Sequence, residues 1–276
     1  MTTRARALVI GGSVGGLFAS HLLRRGGWDV TVFERSADDL TGRGAGIGLT
    51  EALLNVFQRI EIPPSALGGI TTRSRVWLDR SGEIRAEEPS GIQVTSWSRL
   101  YRALKNALPL EGYRANMPLD HVEPQQTSVT AVFVDGSYAT GDLLVAADGI
   151  HSTVRGQFLP EVTPRYAGYV TWRGIVDEAE APPDIRDRLF DRLAFCFPEG
   201  ELLLAMPNPS SDADANRRFY WVWYRPADYE RDLPQLCTDA SGHQHGVSIP
   251  PYLIRREIID DLRECAGHIF APRSPP

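Results

Sequence analysis

The stretch ARALVIGGSVGGLFASHLLRRGGWDVTVFERS, residues 5–36, decides how the chain folds. Residues 5–10 form a short continuous apolar run, the pattern of a strand buried on both faces of a parallel sheet. A glycine turn follows. LFASHLLRR then places Phe18 and Leu22 four apart with Leu23 beside them, which predicts a helix. Arg24 and Arg25 complement the helix's negative end, and Gly26-Gly27 lies past it. WDVTVFERS alternates Val30 and Val32 with Thr31 and Phe33, a second strand ending at Glu34. The unit reads strand, glycine turn, helix, strand, acid.

Such a turn serves two chemistries. In a dinucleotide site Gly11 makes the tight turn, Gly16 lets helix and strand pack closely, and the helix N-terminus offers amides to a pyrophosphate. Glu34 then accepts from the ribose hydroxyls. Ser13 stands where the fingerprint has glycine, and its small hydroxyl side chain can donate to phosphate. In the rival reading Gly11-x-Ser13-x-Gly15 is the nucleophile elbow of a serine hydrolase, with Asp148 and His243 following in the right order. That elbow needs an earlier strand and loop for half of its oxyanion hole, whereas only ten residues precede this turn, and Glu34 is left without a role. A nicotinamide-only dehydrogenase is a further alternative, one that has no need of the Asp-Gly element at 148.

At 276 residues and 42% hydrophobic composition, the chain can bury one large core or two modest ones. Thirty-five acidic against 29 basic residues give a net charge of −6, so no nucleic-acid partner and no membrane partner is expected. Cys196, Cys237 and Cys265 are too few and too scattered for a disulfide framework or a zinc cluster, and His243-x-His245 lacks a third ligand, so no metal site is expected. The apolar run at the start is shorter than a signal sequence needs, and nothing approaches spanning length, so a cytoplasmic protein is expected.

Beyond Glu34, glycines at 42, 44, 46 and 48 suit either close approach to a flat ligand or a plain surface loop. Residues 50–59 predict a helix, and SRVWLD with EIRAEE around Arg80-Ser81-Gly82 a hairpin. SWSRLYRALKNAL, 96–108, predicts a helix capped by Ser96 with Leu100, Leu104 and Leu108 on one stripe. Arg99 falls in its first turn, where a cation opposes the dipole unless a phosphate lies alongside; an ordinary surface arginine is the other reading. Residues 127–147 predict a strand, an Asp135-Gly136 turn and a second strand ending LLVAA. Asp148-Gly149 follows at the mouth of that strand, where open parallel sheets bind ligands, with Ser152 as a helix cap and Arg155 close enough to neutralise the acid. From 165 to 225 the pattern is strand-rich, with Phe219, Trp221 and Trp223 on one face as sheet core or as the wall of an aromatic pocket. Residues 237–251 read as a solvated loop, and 251–266 as an amphipathic helix that starts at proline and stops at Gly267.

GGSVGG with FERS, then SWSRLYRAL, then LLVAADGIHSTVR together resemble the single-component flavoprotein aromatic hydroxylases, the p-hydroxybenzoate hydroxylase-like class. Ser13 and PRYAGYVTWRG at 164–174 look most similar to its 2,6-dihydroxypyridine 3-monooxygenase branch. The resemblance implies an α/β fold: a Rossmann-like FAD-binding domain (1–70 and 96–164) with an inserted antiparallel β-sheet substrate domain (71–95 and 165–250), and 251–276 as a C-terminal helix and tail. It implies that Gly11, Gly12, Ser13 and Gly16 cradle the FAD pyrophosphate, Glu34 holds the adenosine ribose and Arg35 lies beside the adenine. Arg99 would face the phosphates, and Asp148, braced by Arg155, would serve FAD and a passing nicotinamide nucleotide. In this class NADH or NADPH reduces the flavin, oxygen adds at C4a, and the hydroperoxide hydroxylates an electron-rich aromatic ring. The expected partners are a small aromatic substrate and molecular oxygen, with a homodimer as the candidate assembly and no catalytic residue nameable. The family's third motif, a Gly-Asp pair beyond a helix such as 251–266, is absent: Gly141-Asp142 comes too early. The chain is therefore expected to be cut short, with weak or no turnover of its own, and a degenerate FAD-binding relative stands as the alternative.

Overall fold

The computed structural model describes residues 4–42, 45–209 and 217–270. They form two compact units, one from residues 4–42, 45–69 and 95–164, the other from residues 70–94, 165–209 and 217–270.

The first unit is built on β1 (Arg6–Ile10), α1 (Val14–Arg25) and β2 (Asp29–Phe33). β1 lies between β2 and the strand Leu143–Ala146, parallel to both, and Tyr113–Arg114 adds to the far side of β2. The continuous apolar run has a concrete cause, because both faces of β1 are covered. Ala7 and Val9 pack with Leu17, Phe57, Leu100 and Leu104 on the helix side. Leu8 and Ile10 pack with Phe33, Ala131 and Phe133 against a three-stranded antiparallel sheet, Leu119–Pro124, Val129–Phe133 and Tyr138–Gly141. Ser96 caps the helix Trp97–Asn106 by accepting from the Arg99 amide; Leu100 and Leu104 are buried on it, and Leu108, also buried, lies past its end, so the helix is shorter than the expected 96–108.

One strand of the sequence reading is two. The run 138–146 breaks at Gly141-Asp142, so that Tyr138–Gly141 pairs with Val129–Phe133 and Leu143–Ala146 with β1. The Asp142 carboxylate takes the Arg6 amide at 2.7 Å, and a Cβ on Gly141 would press on the Arg6 carbonyl oxygen at 2.9 Å. Only glycine allows the chain to change sheets so close to β1.

The second unit centres on a six-stranded sheet in the spatial order 169–177, 217–226, 202–209, 192–196, 74–78, 84–89. All its neighbours are antiparallel except 74–78 with 192–196. Val76, Ala194, Ala205 and Phe219 share one face and form its core with Ala181 and Phe190. The terminal helix runs Arg256–Phe270, five residues later than its proline signal, because Pro251–Leu253 closes a separate 3₁₀ turn. It continues through Gly267, the expected stop. Phe270 packs edge-on to Trp223 at 5.2 Å, and the Arg80 guanidinium donates to the last-turn carbonyls of Ile269 and His268 at 2.7 and 3.2 Å, which supplies the cap. The loop 237–245 is not merely solvated: buried Asp239 gathers the Ser241 and His243 amides, the Ser241 hydroxyl and the His245 ring. Among the described residues no helix is long and apolar enough to cross a membrane.

His21 is buried on α1, where Nε2 donates to the Leu104 carbonyl at 2.8 Å, and burial lowers its pKa from 6.5. The fold therefore prefers neutral imidazole, and the stability this confers is present above pH 6.5 and lost as pH falls below it. Urea midpoints between pH 7.5 and 5.5 are expected to fall less steeply in His21→Leu than in the parent, whatever the absolute effect of the substitution; equal slopes contradict this.

Candidate functional site

The glycine turn links β1 to α1 in the first unit, and its geometry is fixed by what glycine leaves out. Gly11 has φ +106, a region that disfavours side chains, and a Cβ there would overlap the Ala147 carbonyl. A Cβ on Gly12 would overlap the Tyr113 hydroxyl, and one on Gly16 the Gly11 carbonyl oxygen. Nothing lies within 4 Å of a Cβ on Gly15. Ser13 is the helix N-cap at φ −80 and ψ −178, an extended conformation open to any residue, and its hydroxyl makes no cap bond. The first intrahelical bond is Leu17 N–H to Ser13 O at 2.9 Å, so the amides of Val14, Gly15 and Gly16 have no helical acceptor. No acidic residue sits in that turn. The arrangement is an anion cradle.

Glu34 follows β2 directly and is buried against the turn. Oε2 accepts the Gly12 amide at 2.7 Å and Oε1 the Ser36 amide at 2.9 Å. A carboxylate offers about four lone-pair positions, and two remain for hydroxyl donors. Arg35, next in the chain, is exposed. Tyr113 was not singled out by the sequence, because its strand is two residues long. Its hydroxyl lies 3.4 Å from the Gly12 carbonyl and 3.4 Å from the Tyr101 hydroxyl, and burial beside Tyr101 pushes its pKa far up, so it stays a donor.

Asp148 comes to the turn from the other side, its amide nitrogen 2.9 Å from the place of a Gly11 Cβ. Its carboxylate accepts from the Ser152 hydroxyl at 2.6 Å and the Val154 amide at 3.2 Å. Arg155 does not pair with it: the guanidinium donates instead to the Gly149 and Ile150 carbonyls, so two local donors replace the expected neutralising cation. Arg99 lies in the first turn of its helix as its position implied, with its guanidinium against Gly68. The structure thus gathers Gly11, Gly12, Ser13, Gly16, Glu34 and Asp148 round one turn, with Tyr113 added. The glycine-rich loop after Glu34 lies partly outside the described residues, at 43–44. No histidine hydrogen-bonds Ser13 among the described residues, which leaves a serine nucleophile without its base.

In the second unit the two faces of the six-stranded sheet differ sharply. One lines a cavity of about 600 Å³ beneath the helix Arg256–Phe270, walled by Phe219, Trp221, Trp223, Trp172 and Phe270. The stripe Phe219, Trp221, Trp223 is therefore both core and cavity wall. The Trp223 indole N–H is already bonded to Glu201 at 2.6 Å.

The opposite face, fixed by the register, carries Arg75, Met206, Asn208, Tyr220 and Arg173. Tyr220 is buried, and burial raises its phenol pKa against the pull of Arg173. Arg75 Nε and Asn208 Oδ1 are buried without a hydrogen-bond partner among the described residues. Among those residues no group of three or more metal-ligating side chains occurs.

The family described as "FAD binding domain-like" matches residues 166–274. The chain is 30% identical over 260 residues to 2,6-dihydroxypyridine 3-monooxygenase of Paenarthrobacter nicotinovorans, covering 92% of this chain and 65% of that one. It is 34% identical over 262 residues to FAD-dependent urate hydroxylase of Klebsiella pneumoniae, covering 89% and 64%. The chain thus spans somewhat less than two thirds of these relatives' length. Among solved structures, 2,6-dihydroxypyridine-3-hydroxylase from Arthrobacter nicotinovorans superposes with a TM-score of 0.82 at 30% identity, covering 91% of this chain and 65% of that one. Klebsiella pneumoniae HpxO complexed with FAD and uric acid gives 0.70 at 28% identity, covering 99% and 63%.

Gly16→Ala is expected to lower stability by more than about 1 kcal/mol, because the Gly11 carbonyl must move. Gly15→Ala, with open space and better helix propensity, should leave it unchanged or raised. Thermal melts of the two variants decide; equal effects contradict the geometry.

Proposed function

We propose that this chain, a relative of the FAD-dependent aromatic monooxygenases by sequence and fold, carries the FAD cradle and substrate sheet of an NAD(P)H-consuming hydroxylase. Its ring substrate is phenolic or hydroxypyridine-like. The observation that carries the reading is the 2.7 Å bond from the Gly12 amide to Glu34, which sets an acid for ribose hydroxyls beside three helix-terminal amides that have no helical acceptor. The residues fit FAD: the turn has no room for side chains at Gly11, Gly12 or Gly16, and the Val14, Gly15 and Gly16 amides have no helical acceptor.

When bound, FAD supplies the electron transfer from nicotinamide to oxygen and the oxygen transfer to the ring. The chain binds and orients. Val14, Gly15 and Gly16 amides and the Ser13 hydroxyl donate to the pyrophosphate, while Glu34 accepts from the ribose. Arg35 lies beside the adenine, Arg99 adds charge towards the phosphates, and Asp148 holds the loop that closes on Gly11. On the sheet of the second unit the polar face, not the aromatic cavity, takes the ring, since it carries Arg75, Arg173, Asn208 and Tyr220. Tyr220, kept protonated, donates a hydrogen bond to a ring oxygen there.

Flavin fluorescence during titration of the purified chain with FAD is the direct test. Saturable quenching at one FAD per chain is expected, with affinity at least about tenfold weaker in Glu34→Gln, since one amide donor then faces the Gln NH₂ group. NADH and NADPH oxidation in the presence of candidate rings, with mass detection of a one-oxygen product, tests turnover. No FAD binding by the parent chain overturns the reading.

A further inference from the structure

The parallel sheet of the first unit has charged groups at both of its ends. Gly11 and Glu34 follow the last residues of β1 and β2, whereas Arg6 and Asp29 open the same two strands and pair with each other in register. At a rise of about 3.3 Å per residue, the five residues of β1 set its two ends roughly 15 Å apart. The opening end borders a cavity of about 590 Å³, lined by Arg4, Arg6, Arg24 and Arg114 together with Asp29 and Glu111. The arginines converge from separate elements: Arg6 begins β1, Arg24 lies in the last turn of α1, and Arg114 stands on the short strand beside β2. All four are exposed, and none forms an ion pair among the described residues, whereas Arg25, next in the chain to Arg24, is held by Glu61. In this cavity guanidinium groups outnumber carboxylates two to one, although the chain as a whole carries a net charge of −6. A concave wall of one dominant sign focuses its field and raises the local concentration of the opposite ion.

We propose that this cavity is a second ligand site, for a phosphate ester of a polyhydroxylated small molecule: the arginines take the phosphate, and Asp29 and Glu111 take hydroxyl groups. Guanidinium forks match phosphate oxygens two at a time, which selects phosphate among anions. The two acids narrow the class further. A carboxylate repels a bare phosphate but accepts from hydroxyl donors, so arginines mixed with acids suit an anion that carries a hydroxylated body. The volume agrees, since small-molecule pockets run about 300–1,000 Å³, far more than a bare phosphate fills. The site stands apart from the flavin reading, because none of Gly11, Gly12, Ser13, Gly16, Glu34 and Asp148 lines the cavity.

Calorimetric titration with ribose 5-phosphate and with inorganic phosphate, of the chain with and without saturating FAD, measures this directly. One ribose 5-phosphate per chain is expected in both conditions, bound about tenfold or more tighter than inorganic phosphate and more weakly as salt rises. Arg6→Gln and Arg24→Gln should each weaken it about tenfold, while Arg25→Gln, the same change of charge one residue away, leaves it unchanged. Asp29→Asn should bring the affinities for the two probes closer together. These side chains are exposed, and melting curves identify any variant that fails to fold, in which case the other arginine variant decides. No binding of ribose 5-phosphate, equal binding of inorganic phosphate, or equal losses in Arg25→Gln and the cavity variants overturns the site. Displacement of ribose 5-phosphate by FAD assigns it to the glycine turn and also overturns the site. FAD binding without ribose 5-phosphate binding sinks this inference alone. Ribose 5-phosphate binding by a chain that takes no FAD sinks the flavin reading and leaves the second site standing.

Discussion

The first unit depends on one contact, the buried Glu34 carboxylate against the Gly12 amide. It ties the end of β2 to the turn after β1 across two parallel strands. The acid and the helix N-terminus therefore hold their relative positions whatever the loops beyond them do. The glycines make the contact feasible. Gly11 turns where only glycine is relaxed, Gly12 clears Tyr113, and Gly16 lets α1 sit on the Gly11 carbonyl. Ser13 is in extended backbone at the N-cap, so the position that breaks the glycine fingerprint is one where the backbone sets no demand for glycine. The departure leaves the turn's geometry alone.

The second unit turns on register. Because side chains alternate with period two, the same strand 217–226 gives Phe219, Trp221 and Trp223 to an apolar cavity and Tyr220, Val222 and Tyr224 to the other face. A slip of one residue would bury Arg75 and Asn208 among tryptophans, and desolvated polar groups would oppose it. Arg218 bonded to Asp177 at 2.9 Å and Glu201 bonded to both Trp223 and Arg225 fix neighbouring strands in that register. The polar face is thus specified by the same interactions that close the core.

Much of the first unit was legible, and for physical reasons. A strand covered on both sides reads as an unbroken apolar run, a helix end as arginines and glycine, and a tight strand-to-helix turn as glycines. Ser96 with Leu100 and Leu104 announced their helix in the same way, although Leu108 lies past its end. What escaped was decided by contacts distant in sequence. The break at Gly141-Asp142 depends on Arg6 of β1, the extension of the last helix through Gly267 depends on Arg80 and Trp223, and Tyr113 reaches Gly12 from a strand too short to leave a pattern. Arg155 was assigned to Asp148 by spacing, yet Ser152 and the Val154 amide are nearer partners that sequence distance does not rank.

The uneven legibility reflects a division of labour. A nucleotide's phosphates and ribose are gripped largely by main-chain amides and one carboxylate, so their recognition imprints on glycine positions and strand ends. A ring on the second unit's sheet would be read by side chains from separate strands, as Arg173 and Tyr220 are, with no common spacing. Each of those positions can change without disturbing the ladder beneath it, since the backbone bonds do not pass through the side chain. On the proposed reading the cofactor site is constrained by the fold itself, while the ring site is free to vary on it. Relatives as different in their named substrates as 2,6-dihydroxypyridine and urate, both near 30% identity to this chain, are what such a scaffold produces.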